Sequence, residues 1–171
     1  FEAPIHRRFG QVELADQLEG VKYLKSLPYV DPARIGIWGW SYGGYMTCYA
    51  LLNAPEVFKA GAAGAPVADW RDYDTIYTER YMGLPQQNEE GYRRSSPVNQ
   101  APQLRGRLLL VHGAADDNVH LQNTVQLVNA LVKAGKRFDL MIYPGQKHGF
   151  AAQEARIHVF NRIMQFFLDS L

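Results

Sequence analysis

Short apolar runs alternate with longer amphipathic segments along most of the chain. Four runs have the length and composition of buried β-strands, at residues 34–39, 60–66, 108–111 and 138–143. Four segments repeat apolar residues at the helical period, at residues 11–26, 42–53, 121–135 and 157–171. Strands that alternate with helices are typical of a mainly parallel sheet with helices on both faces. The pattern therefore predicts an α/β fold.

The last two predicted helices are identified by apolar residues that recur at the helical period. In the first of them these are Leu121, Val125, Val128 and Val132, and the helix ends at Gly135. In the C-terminal helix they are Ile157, Phe160, Met164, Phe167 and Leu171, which predict an amphipathic helix.

Residues 68–106 do not fit the alternation of strands and helices. The segment is too long for a simple connection between a strand and a helix, and it is rich in Tyr, Asp and Arg. We interpret it as a partly helical insertion that lies near the functional site.

Composition narrows the possible functions. The chain has 171 residues, of which 47% are hydrophobic and 20% charged, as in a soluble globular domain. Its formal net charge is only +1, with both signs dispersed, so no basic patch indicates binding to nucleic acid or to an anionic membrane. Cys48 is the single cysteine, and no Cys/His cluster has the spacing of a zinc site. We therefore expect a small-molecule or peptide partner, and no metal or cofactor.

Residues 39–43 have the sequence Gly-Trp-Ser-Tyr-Gly, which matches the G-x-S-x-G nucleophile motif. The motif lies between a predicted strand and a predicted helix, where a sharp turn would project the Ser41 hydroxyl above the edge of the sheet. We expect the flanking glycines to permit this turn because they lack a Cβ. The same turn places the backbone N–H of Tyr42 at a helix N-terminus, where it can stabilise negative charge on a substrate oxygen. Ser41 is thus the candidate nucleophile, and Tyr42 supplies half of a candidate oxyanion hole.

The candidate base is His148. In α/β-hydrolases the acid and the histidine follow the serine along the chain, each on a loop after a later strand. The competing histidines do not fit this order, because they precede Ser41, precede the acid or fall at or within predicted helices: His6, His112, His120 and His158. His148 would take the proton from Ser41 and return it to the leaving amine.

Two adjacent carboxylates compete for the role of the acid that orients His148. Asp116 and Asp117 both follow the strand that ends at Val111. One should face His148 while the other caps the next helix, since Asp is a common N-cap residue. Their spacing from the other residues leaves this choice open.

Four blocks of sequence together resemble the prolyl oligopeptidase family, and within it the dipeptidyl peptidase IV subfamily. They are GWSYGGY at 39–45, YTERYMG at 77–83, HGAADDNVH at 112–120 and HG at 148–149. The resemblance covers essentially the whole chain, and it implies an α/β-hydrolase fold. It also implies a triad of Ser41, Asp116 and His148 that releases N-terminal Xaa-Pro or Xaa-Ala dipeptides through an acyl-enzyme, without metal or cofactor.

The resemblance further implies a substrate pocket for the proline ring. The residues that match its lining are Val67, Trp70, Tyr73, Tyr77 and Val119, and Asn118 matches a residue that binds a substrate carbonyl. An aromatic slot with few polar groups suits a pyrrolidine ring, which is rigid and has no N–H to satisfy.

Members of the family also carry features that this sequence does not contain. These are a β-propeller domain ahead of the hydrolase domain, a pair of glutamates that bind the substrate's free amine, and a second oxyanion donor, a tyrosine upstream of the serine. The adjacent Glu89 and Glu90 are better explained as a solvated face. The resemblance thus implies that residues 1–171 are the C-terminal part of the catalytic domain of a longer parent protein, without the propeller and the early strands of the sheet.

Such a piece would expose the edge of its first strand and part of the sheet's apolar faces. We therefore expect homo-oligomerisation or aggregation of the isolated chain, with weak or no activity. By resemblance the parent protein is periplasmic or membrane-associated and acts on peptides with a free N-terminus. The alternatives are an acylaminoacyl peptidase or esterase with the same triad, or a fragment that serves only as a structural module.

Overall fold

The computed structural model of the chain describes residues 2–171 as seven α-helices and four β-strands. In chain order these are α1 (Gln11–Lys25), β1 (Gly36–Trp40), α2 (Tyr42–Asn53), β2 (Ala60–Gly64), α3 (Thr75–Met82), α4 (Glu89–Ser95), α5 (Pro97–Gln100), β3 (Arg107–Gly113), α6 (Gln122–Lys133), β4 (Asp139–Tyr143) and α7 (Gln153–Ser170). Short 3₁₀ turns lie at Ala3–Ile5, Trp70–Asp72, Pro85–Gln87 and Ala101–Gln103. All four predicted strands and all four predicted helices are present, and the α/β prediction is confirmed.

The four strands form one parallel sheet in the order β1-β2-β3-β4. In the register of the sheet, Trp40 pairs with Gly64, Gly64 with Val111, and Gly113 with Tyr143. The carboxyl ends of the strands therefore meet at one edge of the sheet, as parallel pairing requires. The loops after β1, β3 and β4, which carry the candidate nucleophile, acid and base, leave the sheet from this edge.

Helices cover both faces of the sheet, as the sequence pattern predicts. Leu108 and Leu110 of β3 belong to the hydrophobic cluster that includes residues of α1, α2 and α6. Leu109 and Val111, which point the opposite way, belong to the cluster that includes α7. Two apolar layers thus hold the strands, and hence their carboxyl ends, in fixed positions.

Strand β2 consists only of alanine and glycine and is fully buried. Its last residue, Gly64, lies against the indole of Trp40, and a Cβ added at Gly64 would stand 1.9 Å from that ring. Since real Cβ atoms do not approach other atoms so closely, the absence of a side chain at Gly64 is what leaves room for the Trp40 ring.

The segment at residues 68–106 is largely helical, which confirms the predicted insertion. It contains α3, α4, α5 and three of the 3₁₀ turns. The buried Asp69 anchors its first turn, because its carboxylate accepts hydrogen bonds from Arg71 at 2.6 and 2.7 Å and from the Ser96 hydroxyl at 2.7 Å. Burial alone would raise the pKa of Asp69, but these hydrogen bonds outweigh it and the pKa is lowered.

Several of the apolar residues that mark the last two helices in the sequence point away from the sheet. In α6 the buried apolar residues are Leu127 and Leu131, whereas Val125 and Val132 are 55% and 62% exposed. In α7 the buried residues are Val159, Ile163 and Phe166. Ile157, Phe160 and Met164 are each more than half exposed, while Phe167 and Leu171 pack against the core. Both helices carry two apolar stripes, and periodicity alone does not tell which one the sheet covers.

Glu89 and Glu90 lie at the start of α4 and are exposed, in agreement with a solvated face. Glu90 pairs with Arg93 and Arg94 of the same helix, and these hydrogen bonds lower its pKa to about 2. Among residues 2–171 there is no helix with the length and apolar character needed to cross a membrane.

Candidate active site

Ser41 occupies the sharp turn that joins β1 to α2. Its backbone has φ 60° and ψ −118°, in a region that residues other than glycine rarely adopt. Two backbone hydrogen bonds hold it there, because its N–H donates to Gly64 O at 2.9 Å and its carbonyl accepts from Tyr45 N–H at 2.9 Å. A strained residue fixed by its neighbours in this way is typical of functional turns.

The structure brings Ser41, His148 and Asp116 into one chain of hydrogen bonds. His148 Nε2 lies 2.9 Å from Ser41 Oγ, and His148 Nδ1 lies 2.8 Å from Asp116 Oδ2. The carboxylate can only accept, so Nδ1 carries the proton and Nε2 is left to accept from the serine hydroxyl. This is the geometry in which an imidazole can act as a general base toward a serine.

The structure distinguishes between the two adjacent carboxylates. Asp116 is buried, and its Oδ1 accepts the backbone N–H groups of Asn118 and Val119, each at 3.0 Å. Asp117 is exposed and pairs with Lys147 Nζ at 2.6 Å, which lowers the pKa of its carboxyl group. The sequence predicts that one aspartate of the pair caps the next helix. This prediction is wrong for Asp117, because α6 begins without a side-chain cap.

The loops that carry Asp116 and His148 are tied to each other by their backbones. Ala114 N–H donates to Tyr143 O at 2.9 Å, and Ala115 N–H donates to Gln146 O at 3.0 Å. The two loops follow neighbouring strands, so they leave the sheet side by side. This pairing fixes the distance between the acid and the base.

Trp40 connects the nucleophile turn to the loop of His148. Its indole Nε1–H donates to the backbone carbonyl of His148 at 2.8 Å, and its ring meets that of Phe150 edge to face at 5.1 Å. This role of Trp40 is not predicted from the sequence. The only signal was its place beside Ser41, since the bond joins residues 108 positions apart.

We expect Trp40→Phe to slow the reaction of Ser41 by about 5-fold to 10-fold, because the loss of one hydrogen bond of about 1 kcal/mol frees the carbonyl that positions His148. The rate of labelling of Ser41 by a fluorophosphonate, measured on the full-length protein, checks this. Trp38→Phe is the matched control, since Trp38 is half exposed and packs on Phe160, on the outer side of α7. Equal slowing by both substitutions would contradict the prediction.

Tyr42 begins α2, and the first N–H groups of a helix have no intrahelical acceptor. Its side chain is anchored by Glu13 of α1, whose carboxylate accepts the phenol O–H. Burial, and next the bond to Glu13, raise the pKa of Tyr42 well above its usual range. Glu13 was not singled out from the sequence, where it precedes an apolar helix position without any motif around it.

The predicted pocket residues lie close together beside the site. The ring centroids of Trp70, Tyr73 and Tyr77 are 5.4 to 6.1 Å apart, and Tyr73 O–H donates to Asn118 Oδ1 at 2.8 Å. Val67, Trp70 and Val119 are almost completely buried, while Tyr73, Tyr77 and Asn118 are at least partly accessible. Trp70 packs against both tyrosines and supports them from the buried side.

Three other titratable or nucleophilic groups stand outside the chain of hydrogen bonds from Ser41 to Asp116. His158 bonds to Tyr143 O–H at 2.8 Å, and His112 is buried beneath the loop of Asp116. Cys48 is a buried thiol in α2, and burial raises its pKa to about 12. Within residues 2–171 no cluster of three or more His, Cys, Asp or Glu side chains has the arrangement of a metal site.

Comparison with known proteins places the chain in a family. The prolyl oligopeptidase family matches residues 1–171. Human dipeptidyl peptidase 8 is 45% identical over 100% of this chain, and bovine dipeptidyl peptidase 4 is 45% identical over 95% of it. The crystal structure of Porphyromonas gingivalis dipeptidyl peptidase 4 covers 97% of the chain with a TM-score of 0.93 and 49% identity.

These relatives are much longer than the chain. It spans only 20% of human dipeptidyl peptidase 8, 22% of bovine dipeptidyl peptidase 4 and 24% of the Porphyromonas gingivalis protein. The similarity nonetheless extends over the strands, the nucleophile turn and both loops that complete the site. The chain belongs to the prolyl oligopeptidase family.

Proposed function

We propose that the chain carries the nucleophile, base and acid of a serine dipeptidyl peptidase, with Ser41, His148 and Asp116 in these roles. The observation that supports this most directly is the continuous hydrogen-bonded chain from Ser41 Oγ through the imidazole to Asp116 Oδ2. The names of the similar proteins, dipeptidyl peptidases 4 and 8, support the choice of reaction.

In the proposed mechanism, Ser41 Oγ attacks the carbonyl carbon of the substrate's second residue while His148 Nε2 takes the hydroxyl proton. The backbone N–H of Tyr42 stabilises the oxyanion that forms. His148 then gives the proton to the leaving amine, and the C–N bond breaks to leave the dipeptidyl ester on Ser41. Water, deprotonated by His148, cleaves this ester and restores the serine.

The proposed specificity is for Pro or Ala as the second residue of a peptide with a free N-terminus. Tyr73 and Tyr77, with Trp70 packed against both, offer aromatic edges and faces to a pyrrolidine ring. Val67 and Val119 would close the base of the pocket. The oxygen of Asn118 already accepts the Tyr73 hydroxyl, so its amide N–H is the group that would donate to a substrate carbonyl.

We further propose that residues 1–171 are the C-terminal part of the catalytic domain of the parent protein. The chain spans about a fifth of the curated relatives it matches, and β1 lies at one edge of the sheet that the described residues form. In the parent protein, the early strands, the propeller domain, the amine-binding glutamates and the second oxyanion donor would come from elsewhere in the chain. Homo-oligomer formation and weak activity of the isolated chain stay predictions.

The decisive experiment compares hydrolysis of Gly-Pro-anilide with that of its N-acetylated form by the parent protein, with Ser41→Ala as the control. We expect cleavage of the free-amine substrate only, and its loss in the variant. Equal or preferential cleavage of the blocked substrate would favour an acylaminoacyl peptidase. If neither substrate is cleaved and a fluorophosphonate fails to label Ser41, the site is not a catalytic one.

A further inference from the structure

His112, near the end of β3, is a completely buried histidine that the proposed mechanism does not use. Its ring makes two short polar contacts, Nδ1 to Thr124 Oγ1 of α6 at 2.7 Å and Nε2 to the backbone carbonyl of Val119 at 2.8 Å. A third contact, of Nε2 with Asp116 Oδ2, is 3.3 Å long. A buried polar ring with this many partners is held in one orientation.

The contacts determine the tautomer of His112. The Val119 carbonyl can only accept a hydrogen bond, so Nε2 carries the proton. Burial lowers the pKa of His112 and so favours the neutral ring. In the neutral ring Nδ1 is an acceptor and takes a hydrogen bond from the Thr124 hydroxyl. Thr124 thus orients the ring so that its single N–H points toward the loop that carries Asp116.

This N–H points to the region between two acceptors of the same loop, Val119 O and Asp116 Oδ2. Asp116 Oδ2 is also the oxygen that meets His148 Nδ1 at 2.8 Å. The other carboxylate oxygen, Oδ1, is held by two backbone N–H groups of the loop. Every donor around Asp116 is thus supplied by its own loop, by His148 or by His112.

We propose that His112 is a positioning residue of the active site, which, oriented by Thr124, holds the Asp116 carboxylate and its loop so that Oδ2 faces His148. The proposal rests on the roles assigned to Ser41, His148 and Asp116 under the proposed function. A buried histidine needs polar partners in any position, but here one of the partners is the carboxylate oxygen that also meets His148 Nδ1. Without the N–H of His112, the Asp116 carboxylate and the Val119 carbonyl both lose a hydrogen-bond donor. The carboxylate is then free to move, and the imidazole of His148 loses the partner that orients it.

The test compares two pairs of substitutions in the parent protein. His112→Gln keeps an amide N–H near the position of Nε2, whereas His112→Asn is too short to reach Val119 O and Asp116 Oδ2. Thr124→Val removes the hydroxyl that bonds Nδ1 and orients the ring, and Thr124→Ser retains it. The readout is the second-order rate of fluorophosphonate labelling of Ser41, with the melting temperature measured in parallel.

We expect His112→Asn to slow labelling by about 10-fold to 100-fold, as for a catalytic group displaced by a fraction of an ångström, and His112→Gln to recover most of the rate. Thr124→Val should slow labelling by about 5-fold, and Thr124→Ser by less than about 2-fold. In the folded variants that cleave Gly-Pro-anilide, kcat should fall with little change in KM.

Unchanged labelling rates in His112→Asn and Thr124→Val, with lower melting temperatures only, would overturn the proposal and leave His112 a core residue. Equal slowing by His112→Gln and His112→Asn would overturn it too. If the His112 variants do not fold, the Thr124 pair decides by the same criterion. Failure of the proposed function looks different, because wild-type protein would then leave Gly-Pro-anilide uncleaved whatever the variants do to labelling.

Discussion

Replacing Asp116 with Asn is expected to lower kcat of the parent protein by about 10⁴-fold, the size of effect seen when the orienting carboxylate of a serine-histidine pair becomes an amide. The amide would present an N–H₂ group or a neutral oxygen to His148 Nδ1, which now lies 2.8 Å from Oδ2. If the N–H₂ group faces Nδ1, it favours the tautomer in which Nε2 carries the proton and cannot accept from Ser41. If the neutral oxygen faces Nδ1, the tautomer is correct, but no negative charge stabilises the imidazolium ion that forms during attack by Ser41.

Asp117→Asn provides the control, because it makes the same chemical change one residue away. The Asp117 side chain is exposed, and its ion pair with Lys147 is a surface contact of small expected value. We expect kcat to stay within about 2-fold of the wild type. The measurement is kcat for Gly-Pro-anilide, normalised to the fraction of protein with intact near-UV circular dichroism. A comparable loss in both variants would reject the assignment of Asp116 as the acid.

The meeting of the three residues of the site could be predicted from the sequence because it follows from the topology of the sheet. A parallel sheet brings the carboxyl ends of successive strands to one edge, so a motif after each strand is enough to predict that Ser41, His148 and one of two aspartates would meet. The choice between Asp116 and Asp117 was not accessible in this way. It depends on which side chain the loop turns inward, and here the N–H groups of Asn118 and Val119 hold Asp116.

The supporting contacts could not be predicted, since each joins residues distant in the sequence. Glu13 holds the hydroxyl of Tyr42 across 29 residues, and Trp40 holds the carbonyl of His148 across 108. No local pattern marks Glu13, and Trp40 stands at a variable position of the G-x-S-x-G motif. His112 is a different case, because its partners lie only 4 to 12 residues along the chain, yet from the sequence it is no more than a competing base that precedes the acid.

The buried faces of the last two helices could not be predicted from the sequence for a different reason. Helices α6 and α7 have apolar residues on more than one side, so a period of three to four residues fits several stripes. In α7 the sheet covers Val159, Ile163 and Phe166, whereas Ile157 and Phe160 are left exposed. The apolar pattern therefore predicts that a segment is a helix, but which side of the helix is buried depends on the residues of the sheet that pack against it.

Replacing Gly39 with Ala is expected to destabilise the parent protein by about 3 kcal/mol or more and to slow labelling of Ser41, because there is no space for a side chain inside the nucleophile turn. A Cβ at Gly39 would lie 2.5 Å from the backbone carbonyl carbon and oxygen of Gly43. These atoms belong to the first turn of α2 and cannot rotate away as a flexible side chain would. The turn would have to open, which moves Ser41 Oγ relative to His148 Nε2.

Gly43→Ala is the matched control, and here the structure corrects the sequence analysis, which gave both flanking glycines the same role. Beyond its chain neighbours and the backbone of its own helix, a Cβ at Gly43 would have no neighbouring atom within 4 Å. Since alanine favours a helix over glycine by up to about 1 kcal/mol, we expect unchanged or slightly increased stability and normal labelling. Urea unfolding and fluorophosphonate labelling of both variants make the comparison. If Gly43→Ala proved as damaging as Gly39→Ala, the tight approach at Gly39 would not be what shapes the turn, and the motif would need both glycines for backbone conformation rather than for space.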